Sequence, residues 1–553
     1  MKLLKIILFL LIGLALIGCN NQEIPDDEDD HDDDIIEPSL SIESTEYMIE
    51  EGEKLQLEVE ILDTEETLGL IYVSDNNAVA SVSTTGLVTA NSVGYAKITI
   101  IISLYSDKRL DILVTVTEKT PEDILDAMQD FADILDELDQ SIPSTTTADI
   151  TMRTNRYGRA IEWTSSNEKV ISKYGEVTRQ YEDVDVTLTA TLKYKHITEV
   201  FTRVVRVEKT QLRDLSNKKI SFAYARATNI PAEHLRQIDY VNYSFASITT
   251  ANTFYVTPYI ASLVRQAHNE GTRVVAAIGG GSSEGSNPFK TMTLTKESRK
   301  TFIDSMMEAI DEYNLDGIDF DWEVPTAAER NNFSALVRET REAFDAYHRD
   351  LILTSAVSAG TWHIGQGYDV AELNKYLDYF HVMTYDLNNW PAEGATALTR
   401  HHSHLYRSNI APSLSADEAI RAFKNAGASS EKLVIGVAAY GRAADVINPH
   451  EHGLNQIAYK TAQSLSFDSI YNLYYKNPEG SAYKLFWDDV AKAAWLYSDT
   501  LTVRNFISFD DERAIEAKVE YTYDNNLGGI MYWDYLNDQG GVILGFIDKY
   551  LNK

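Results

Sequence analysis

The sequence predicts a multidomain protein, with a C-terminal TIM (β/α)8 barrel preceded by N-terminal all-β sandwich modules. Three observations point there. At 553 residues the chain exceeds one ordinary core, and at about 100–200 residues per unit it suggests roughly three or four. Short strands of period two fill the stretch from about Leu40 to Val207. From about Asn217 onward, short apolar runs alternate with segments of helical period, the pattern of parallel strands joined by crossover helices.

The N-terminus carries Lys2 and Lys5, an apolar run from Ile6 to Ile17, then Gly18 and Cys19. This is a signal-peptide layout, and the run is shorter than the roughly 20 residues a membrane-spanning helix needs. Leu16-Ile17-Gly18-Cys19 resembles the bacterial lipobox. That resemblance implies that Cys19 is lipidated and becomes the mature N-terminus, leaving the protein extracytoplasmic and anchored to the bacterial membrane. An ordinary secretory signal is the alternative. Cys19 is the only cysteine, so no disulfides are expected.

Residues 20–39 read as an acidic linker, because Pro25 to Asp34 is a like-charge run that repels itself and can bury nothing. His31 among these carboxylates is read as part of a solvated tether, and no metal is expected. The formal net charge of −35, with no basic stripe interleaved with aromatics, disfavours nucleic acid as a partner.

Residues 40–118 form the first expected sandwich. Leu55, Leu57, Val59 and Ile61 alternate with Gln56, Glu58 and Glu60, and Ala96 to Ile100 follows Gly94. Residues 119–210 form the second, opened by an amphipathic helix with Thr120 as cap, Pro121 in the first turn, and Ile124, Leu125, Met128, Phe131, Leu135 and Leu138 as its apolar positions. The phrase Ser74 to Ala90 is echoed by Ser165 to Arg179, an internal repeat. Both phrases resemble bacterial immunoglobulin-like modules, and a spacer role is expected. Trp163, the only tryptophan here, is read as core rather than as a sugar platform.

In the barrel region, residues 216–551, strands are expected at Ile220–Ala225, Tyr240–Ala246, Arg273–Ile278, Gly317–Glu323, Leu351–Ser358, Tyr379–Tyr385, Leu433–Ala439 and Gly529–Trp533. Phe302, Ile303, Met306 and Ile310 mark one intervening helix face, and Phe333, Leu336, Val337 and Phe344 another. Catalytic groups of such barrels sit at the carboxyl ends of the strands.

One strand carries too many acids for stability alone. In Leu315 to Pro325, the residues Asp319, Asp321 and Glu323 fall at every second position and share one face, opposite Ile318, Phe320 and Trp322. Like charges so close repel and raise one another's pKa. A calcium loop would need its glycine after the third acid, whereas Gly317 lies between Asp316 and Asp319. A structural role would need cations, and none lies between Leu315 and Val324. The third reading is glycoside hydrolysis, in which one carboxyl must keep its proton near neutral pH. Glu323, farthest along the strand, is the proton donor on this reading.

Asp316-Gly317-Ile318-Asp319-Phe320-Asp321-Trp322-Glu323 resembles the D-x-x-D-x-D-x-E signature of glycoside hydrolase family 18, the chitinase family. Val241 to Ala246, Met383 to Asp386, Gly436 to Arg442 and Gly528 to Trp533 are similar to its second, sixth, seventh and eighth strands. The resemblance implies a substrate-assisted retaining reaction on N-acetylglucosamine polymers, with no cofactor. Glu323 would protonate the glycosidic oxygen and later deprotonate water, Asp321 would orient the acetamido nitrogen and stabilise the oxazolinium-like intermediate, Asp319 would share charge and a proton with Asp321, and Tyr385 would donate to the acetamido group. It further implies Trp533 as floor and Tyr224, Gly280, Met383, Asp386 and Arg442 as substrate-binding neighbours.

There are departures from that pattern. Ala277-Ile278-Gly279-Gly280 stands where the family has Ser-x-Gly-Gly, leaving a hydroxyl partner missing that Tyr224 or water would replace, and Val324 replaces a tyrosine. An inserted domain is expected only between about Ala443 and Tyr475. An endo-β-N-acetylglucosaminidase acting on N-glycans or peptidoglycan-related glycans, and a non-catalytic chitin-binding lectin, remain as alternatives. A monomer is expected.

Overall fold

The computed structural model describes residues 38–64, 68–118, 122–388, 398–458, 463–499 and 504–552. The signal segment, Cys19, the acidic linker and the cap residues Thr120 and Pro121 lie outside them. The described residues form two compact units. The first runs up to Ile134 with Asn155–Ile161 and Leu192–Glu199, and the second comprises Leu135–Thr154, Glu162–Thr191 and the chain from Val200 on.

In the first unit, a four-stranded sheet ordered Glu46–Glu50, Tyr105–Thr117, Gly94–Ile102, Leu70–Ser74 accompanies a three-stranded one of Lys54–Gln56, Leu87–Ala90 and Ala80–Val82. Ala96, Ile98, Ile100 and Ile102 alternate inward along one strand and bury completely or nearly so, as period-two patterning requires. The expected single strand through Leu55 and Ile61 is broken into Lys54–Gln56 and Val59–Leu62.

The repeat is visible in backbone hydrogen bonds. Val79 and Ala80 N–H both donate to Asn76 O, at 3.0 Å each, as Val170 and Ile171 N–H do to Asn167 O at 3.1 and 3.0 Å. Gly86 N–H donates to Ser83 O and Gly175 N–H to Ser172 O, and both glycines hold positive φ, 81° and 86°. Trp163 is buried, its indole N–H donating to Arg153 O at 2.8 Å. The amphipathic helix forms over Glu122–Ser141, but Leu125 and Met128 face solvent and the buried stripe is Asp123, Ala127, Phe131, Ile134 and Leu138. Apolar residues on both sides of that stripe left the phase of the sequence pattern ambiguous.

The barrel strands are β1 (Ile220–Ala225), β2 (Tyr240–Ile248), β3 (Arg273–Gly279), β4 (Gly317–Asp321), β5 (Ile352–Ser358), β6 (Tyr379–Met383), β7 (Leu433–Ala438) and β8 (Gly529–Trp533). Each pairs in parallel with its sequence neighbour, and β8 closes on β1. Outward residues such as Ile318, Phe320 and Trp322 pack with the helix residues Phe302, Met306, Phe333 and Leu336. Inward residues Ile220, Phe222, Val275, Ala277, Val434 and Met531 form a separate core inside the barrel. Burial on both faces explains the near-continuous apolar runs.

Between β7 and β8 the chain builds a five-stranded antiparallel sheet, ordered Gln463–Ser466, Tyr440–Val446, Arg504–Phe509, Ala493–Ser498, Lys484–Asp488. The insertion therefore runs from Tyr440 to Phe509, beyond the expected limit at Tyr475. Residues 481–489 and 505–518, which in sequence look like ordinary closing segments of the barrel, supply two strands of this sheet instead: Lys484–Asp488 pairs with Ala493–Ser498, and Arg504–Phe509 pairs with both Ala493–Ser498 and Tyr440–Val446.

Candidate active site

The register of the barrel places the acids. Asp319 on β4 lies level with Ala277 on β3 and Thr354 on β5, and Asp321 lies level with Gly279. Asp319 is fully buried. Its Oδ1 accepts from Thr354 Oγ1 at 2.5 Å and its Oδ2 from Tyr224 Oη at 2.8 Å. Tyr224 supplies the hydroxyl that Ala277 lacks. It is itself 1% exposed, so it sits beneath the acids rather than in the cleft wall where substrate contact was expected.

Asp321 is also buried, and its Oδ1 has no hydrogen-bond partner. Burial raises its pKa well above the ordinary value, with the charges of Glu323 and Asp319 adding to the rise. Burial likewise pushes Asp319 up to about 6, against the pull of its two hydroxyl donors. Burial and mutual repulsion thus both favour retention of a proton on this pair.

Strand β4 ends at Asp321, so Glu323 lies beyond the ladder instead of on it. Its backbone N–H is captured by Ser286 Oγ at 3.0 Å, and the Ser286 hydroxyl in turn donates to Gly280 O at 2.9 Å. Gly280 holds φ +94° and a Cβ there would come within 2.8 Å of the Phe245 ring, which no L side chain tolerates. The loop after β3 thereby aims Glu323 into the mouth. Desolvation there raises the Glu323 pKa, with the charge of Asp386 adding to it.

Asp386 follows β6 and faces Glu323 electrostatically. Arg442 Nε and Nη2 donate to its two oxygens at 2.7 and 2.6 Å, and Tyr440 Oη donates at 2.9 Å. Partial burial works to raise its pKa, but His402 and Arg442 together hold it below the usual carboxylate range. Both Tyr440 and Arg442 come from the first strand of the insertion, which thus serves the barrel mouth.

Tyr385 Oη meets the weak acceptor Met531 Sδ at 3.8 Å. Trp533, at the end of β8, stacks on Phe245 with centroids 5.6 Å apart and planes at 25°. Arg226 lies 5.7 Å over its ring and pairs with Asp534. Met383, the last residue of β6, lines the same inner cluster as Tyr385 and Trp533.

Asp316 does not belong to the site. At the other end of β4 it accepts from His268 Nε2 at 2.8 Å, Tyr181 Oη at 2.6 Å and Val274 N–H at 2.7 Å. Its partners come from distant sequence, which is why a search for nearby cations missed the structural role. Sequence reasoning also missed Thr354, Ser286, Phe245 and His381. Two of these carried a signal, since Thr354 and His381 are the polar members of inward, every-second-residue sets on β5 and β6.

Comparison with known proteins comes from three directions. The family model described as glycosyl hydrolases family 18 matches residues 215–538. A bacterial Ig-like domain (group 2) matches 38–107 and an atrophied bacterial Ig domain matches 134–210. An endochitinase of Manduca sexta is 28% identical over 339 residues, covering 55% of this chain and 59% of that protein. Chitinase A1 of Niallia circulans is 27% identical over 299 residues, covering 49% and 41%. The chain thus spans about half the length of these curated relatives. Among solved structures, a family 18 N-acetylglucosaminidase from Paenibacillus barengoltzii matches with TM-score 0.53 and 28% identity, over 60% of this chain and 99% of that one. The Group IV chitinase of Ostrinia furnacalis matches with TM-score 0.53 and 27% identity, over 61% and 100%.

Proposed function

From the premise that this chain belongs to glycoside hydrolase family 18, we propose that its barrel is a chitinase-type hydrolase of β-1,4-linked N-acetylglucosamine polymers, working by a substrate-assisted, retaining route. The observation that carries this is the bare Asp321 Oδ1, buried beside Glu323, whose pKa desolvation raises. A buried acceptor without a donor is costly, and an acetamido N–H is the group that would fill it.

In the first step Glu323 gives its proton to the glycosidic oxygen as the C1–O bond breaks, and the acetamido oxygen bonds to C1. Asp321 holds the acetamido N–H, and Tyr385 donates to the developing charge on the acetamido group. In the second step Glu323 takes a proton from water as water attacks C1, which restores the acetamido group and the acid. Trp533 underlies the distorted sugar.

The test is the product profile on chitin oligomers beside a high-mannose glycopeptide. Cleavage of the oligomers supports the reading. Cleavage of the glycopeptide alone would transfer the protein to the endo-β-N-acetylglucosaminidases, and binding without turnover would make it a lectin. A second reading, release of single N-acetylglucosamine units, draws on the likeness to the Paenibacillus barengoltzii N-acetylglucosaminidase; it would show as a monosaccharide-only profile.

We propose further that Cys19 bears a lipid that holds the enzyme, as a monomer, on the outer side of a bacterial membrane, with the Ig-like modules as spacers. The lipobox-like Leu16 to Cys19 supports this. Cys19→Ala should release the protein from the membrane fraction with its activity unchanged; retention would point to an uncleaved apolar segment.

A further inference from the structure

Deep in the barrel, below the acids, the Tyr224 hydroxyl lies between two partners. Asp319 Oδ2 and His381 Nδ1 are each 2.8 Å from Tyr224 Oη. His381 is fully buried on β6, its ring 4.4 Å from that of Phe222 and its Nδ1 3.5 Å from Asp319 Oδ1. Its Nε2 has no partner.

One hydroxyl proton cannot serve both neighbours, and the bare Nε2 decides its direction. A proton on Nε2 would be a buried donor with nothing to accept it, whereas an unprotonated ring nitrogen is the milder omission. The imidazole therefore carries its proton on Nδ1 and donates to Tyr224 Oη. The tyrosine proton then points to Asp319 Oδ2, while Thr354 donates to Oδ1. Both Asp319 oxygens accept and neither donates, the arrangement of a carboxylate.

We propose that His381 is a positioning residue which, as the neutral Nδ1–H tautomer, orients the Tyr224 hydroxyl and holds Asp319 ionised, so that Asp321 carries the proton shared between the two. The groups facing this chain are Tyr224 on β1, Asp319 and Asp321 on β4, Thr354 on β5 and Tyr385 just after β6; the ring of Phe222 on β1 lies against His381, with Tyr240 and Tyr379 packed on Phe222 in turn. Burial supports the neutral imidazole, since it pushes the His381 pKa down to about 3. The consequence for catalysis rests on the hydrolase reading above.

Two measurements test this. The first needs no substrate: the 15N shifts of the His381 ring in the whole protein, assigned by the signal lost in His381→Asn, should show a protonated Nδ1 and a bare Nε2, unchanged between about pH 5 and 8. The reverse tautomer, or titration in that range, overturns the proposal. The second reads turnover of a chitin oligomer against pH. His381→Leu removes the donor to Tyr224, so Asp319 becomes harder to ionise. The acid limb of kcat/KM should move up by about one unit, with kcat down about tenfold and KM within about twofold. His381→Asn keeps an N–H donor at similar reach and should restore most of kcat and the limb. An unmoved limb in His381→Leu, or no recovery in His381→Asn when both variants melt as the parent does, overturns the proposal. An inactive parent with the expected ring shifts would instead sink the hydrolase reading and leave the tautomer standing.

Discussion

Arg442 grips Asp386 at two points, its Nε and Nη2 donating at 2.7 and 2.6 Å to separate oxygens of one carboxylate. The pair joins the inserted sheet to the barrel mouth and keeps a negative charge facing Glu323. That charge is the second cause, after desolvation, of the raised Glu323 pKa.

Asp386→Asn should therefore lower the pKa of Glu323. The acid form of Glu323 is the active one, so the alkaline limb of kcat/KM should move to lower pH, by about one unit or less. The guanidinium left unpaired acts in the same direction. A limb that stays in place or moves up would remove Asp386 from the electrostatics of the donor.

Glu323→Gln removes the transferable proton while keeping the size and most contacts of the side chain. Turnover should fall by roughly 10²–10⁴-fold or more, with oligosaccharide affinity within about tenfold. Calorimetry with a chitin oligomer beside a reducing-sugar assay separates the two. Near-normal turnover would unseat Glu323 as the acid.

Two glycines of positive φ, Gly175 in the repeat and Gly365 in the barrel region, allow a prediction on stability. A Cβ on Gly175 would lie 1.9 Å from the backbone oxygen of Ile150 at φ +86°, whereas one on Gly365, at φ +76°, would meet nothing within 4 Å. Gly365→Ala should cost about 1–2 kcal/mol from the left-handed backbone alone. Gly175→Ala should cost more, since a carbonyl cannot step aside as a side chain can. Thermal unfolding of the two variants gives the order directly.

How much of this was legible in the sequence differs by the kind of interaction. All eight barrel strands were readable as short apolar runs, because they are buried on both faces, and the helix faces of Phe302 to Ile310 and Phe333 to Phe344 because burial on one side imposes a period. The acids of β4 were readable for the same reason, as charge in phase with a buried face. What stayed hidden was partnership across distance. Nothing near Asp316 announces His268 or Tyr181, and nothing near Asp319 announces that register brings Thr354 to its level or that Tyr224 links it to His381. The insertion was underestimated because residues 481–489 and 505–518 look like closing segments of a barrel, and only the antiparallel pairing of Lys484–Asp488 and Arg504–Phe509 places them in the inserted sheet. Glu323 was placed on β4 because alternation continues through it, although Ser286 takes the N–H that would have extended the ladder.

The last prediction concerns the nucleophile. Asp321 is close enough to Glu323 in the chain that spacing alone does not forbid it from attacking the sugar directly, in the manner of ordinary retaining enzymes. The structure gives a physical reason against attack. A nucleophile must be ionised, and burial, with the charges of Glu323 and Asp319 adding to it, raises the pKa of Asp321 and so disfavours its ionised form. A carboxyl so disposed serves better as an orienting partner to the acetamido N–H. A chitin oligomer lacking the acetyl group at the cleavage subsite should therefore not be cut there. A cyclic thiazoline that mimics the bonded acetamido oxygen should inhibit, and Asp321→Asn and Tyr385→Phe should each weaken that inhibition, by about tenfold or more if each removes one charge-assisted or well-aimed hydrogen bond. Mass spectrometry of the enzyme during turnover closes the question from the other side: a sugar ester on Asp321, or efficient cleavage at a glucosamine unit, would give the attack to the aspartate and withdraw it from the substrate.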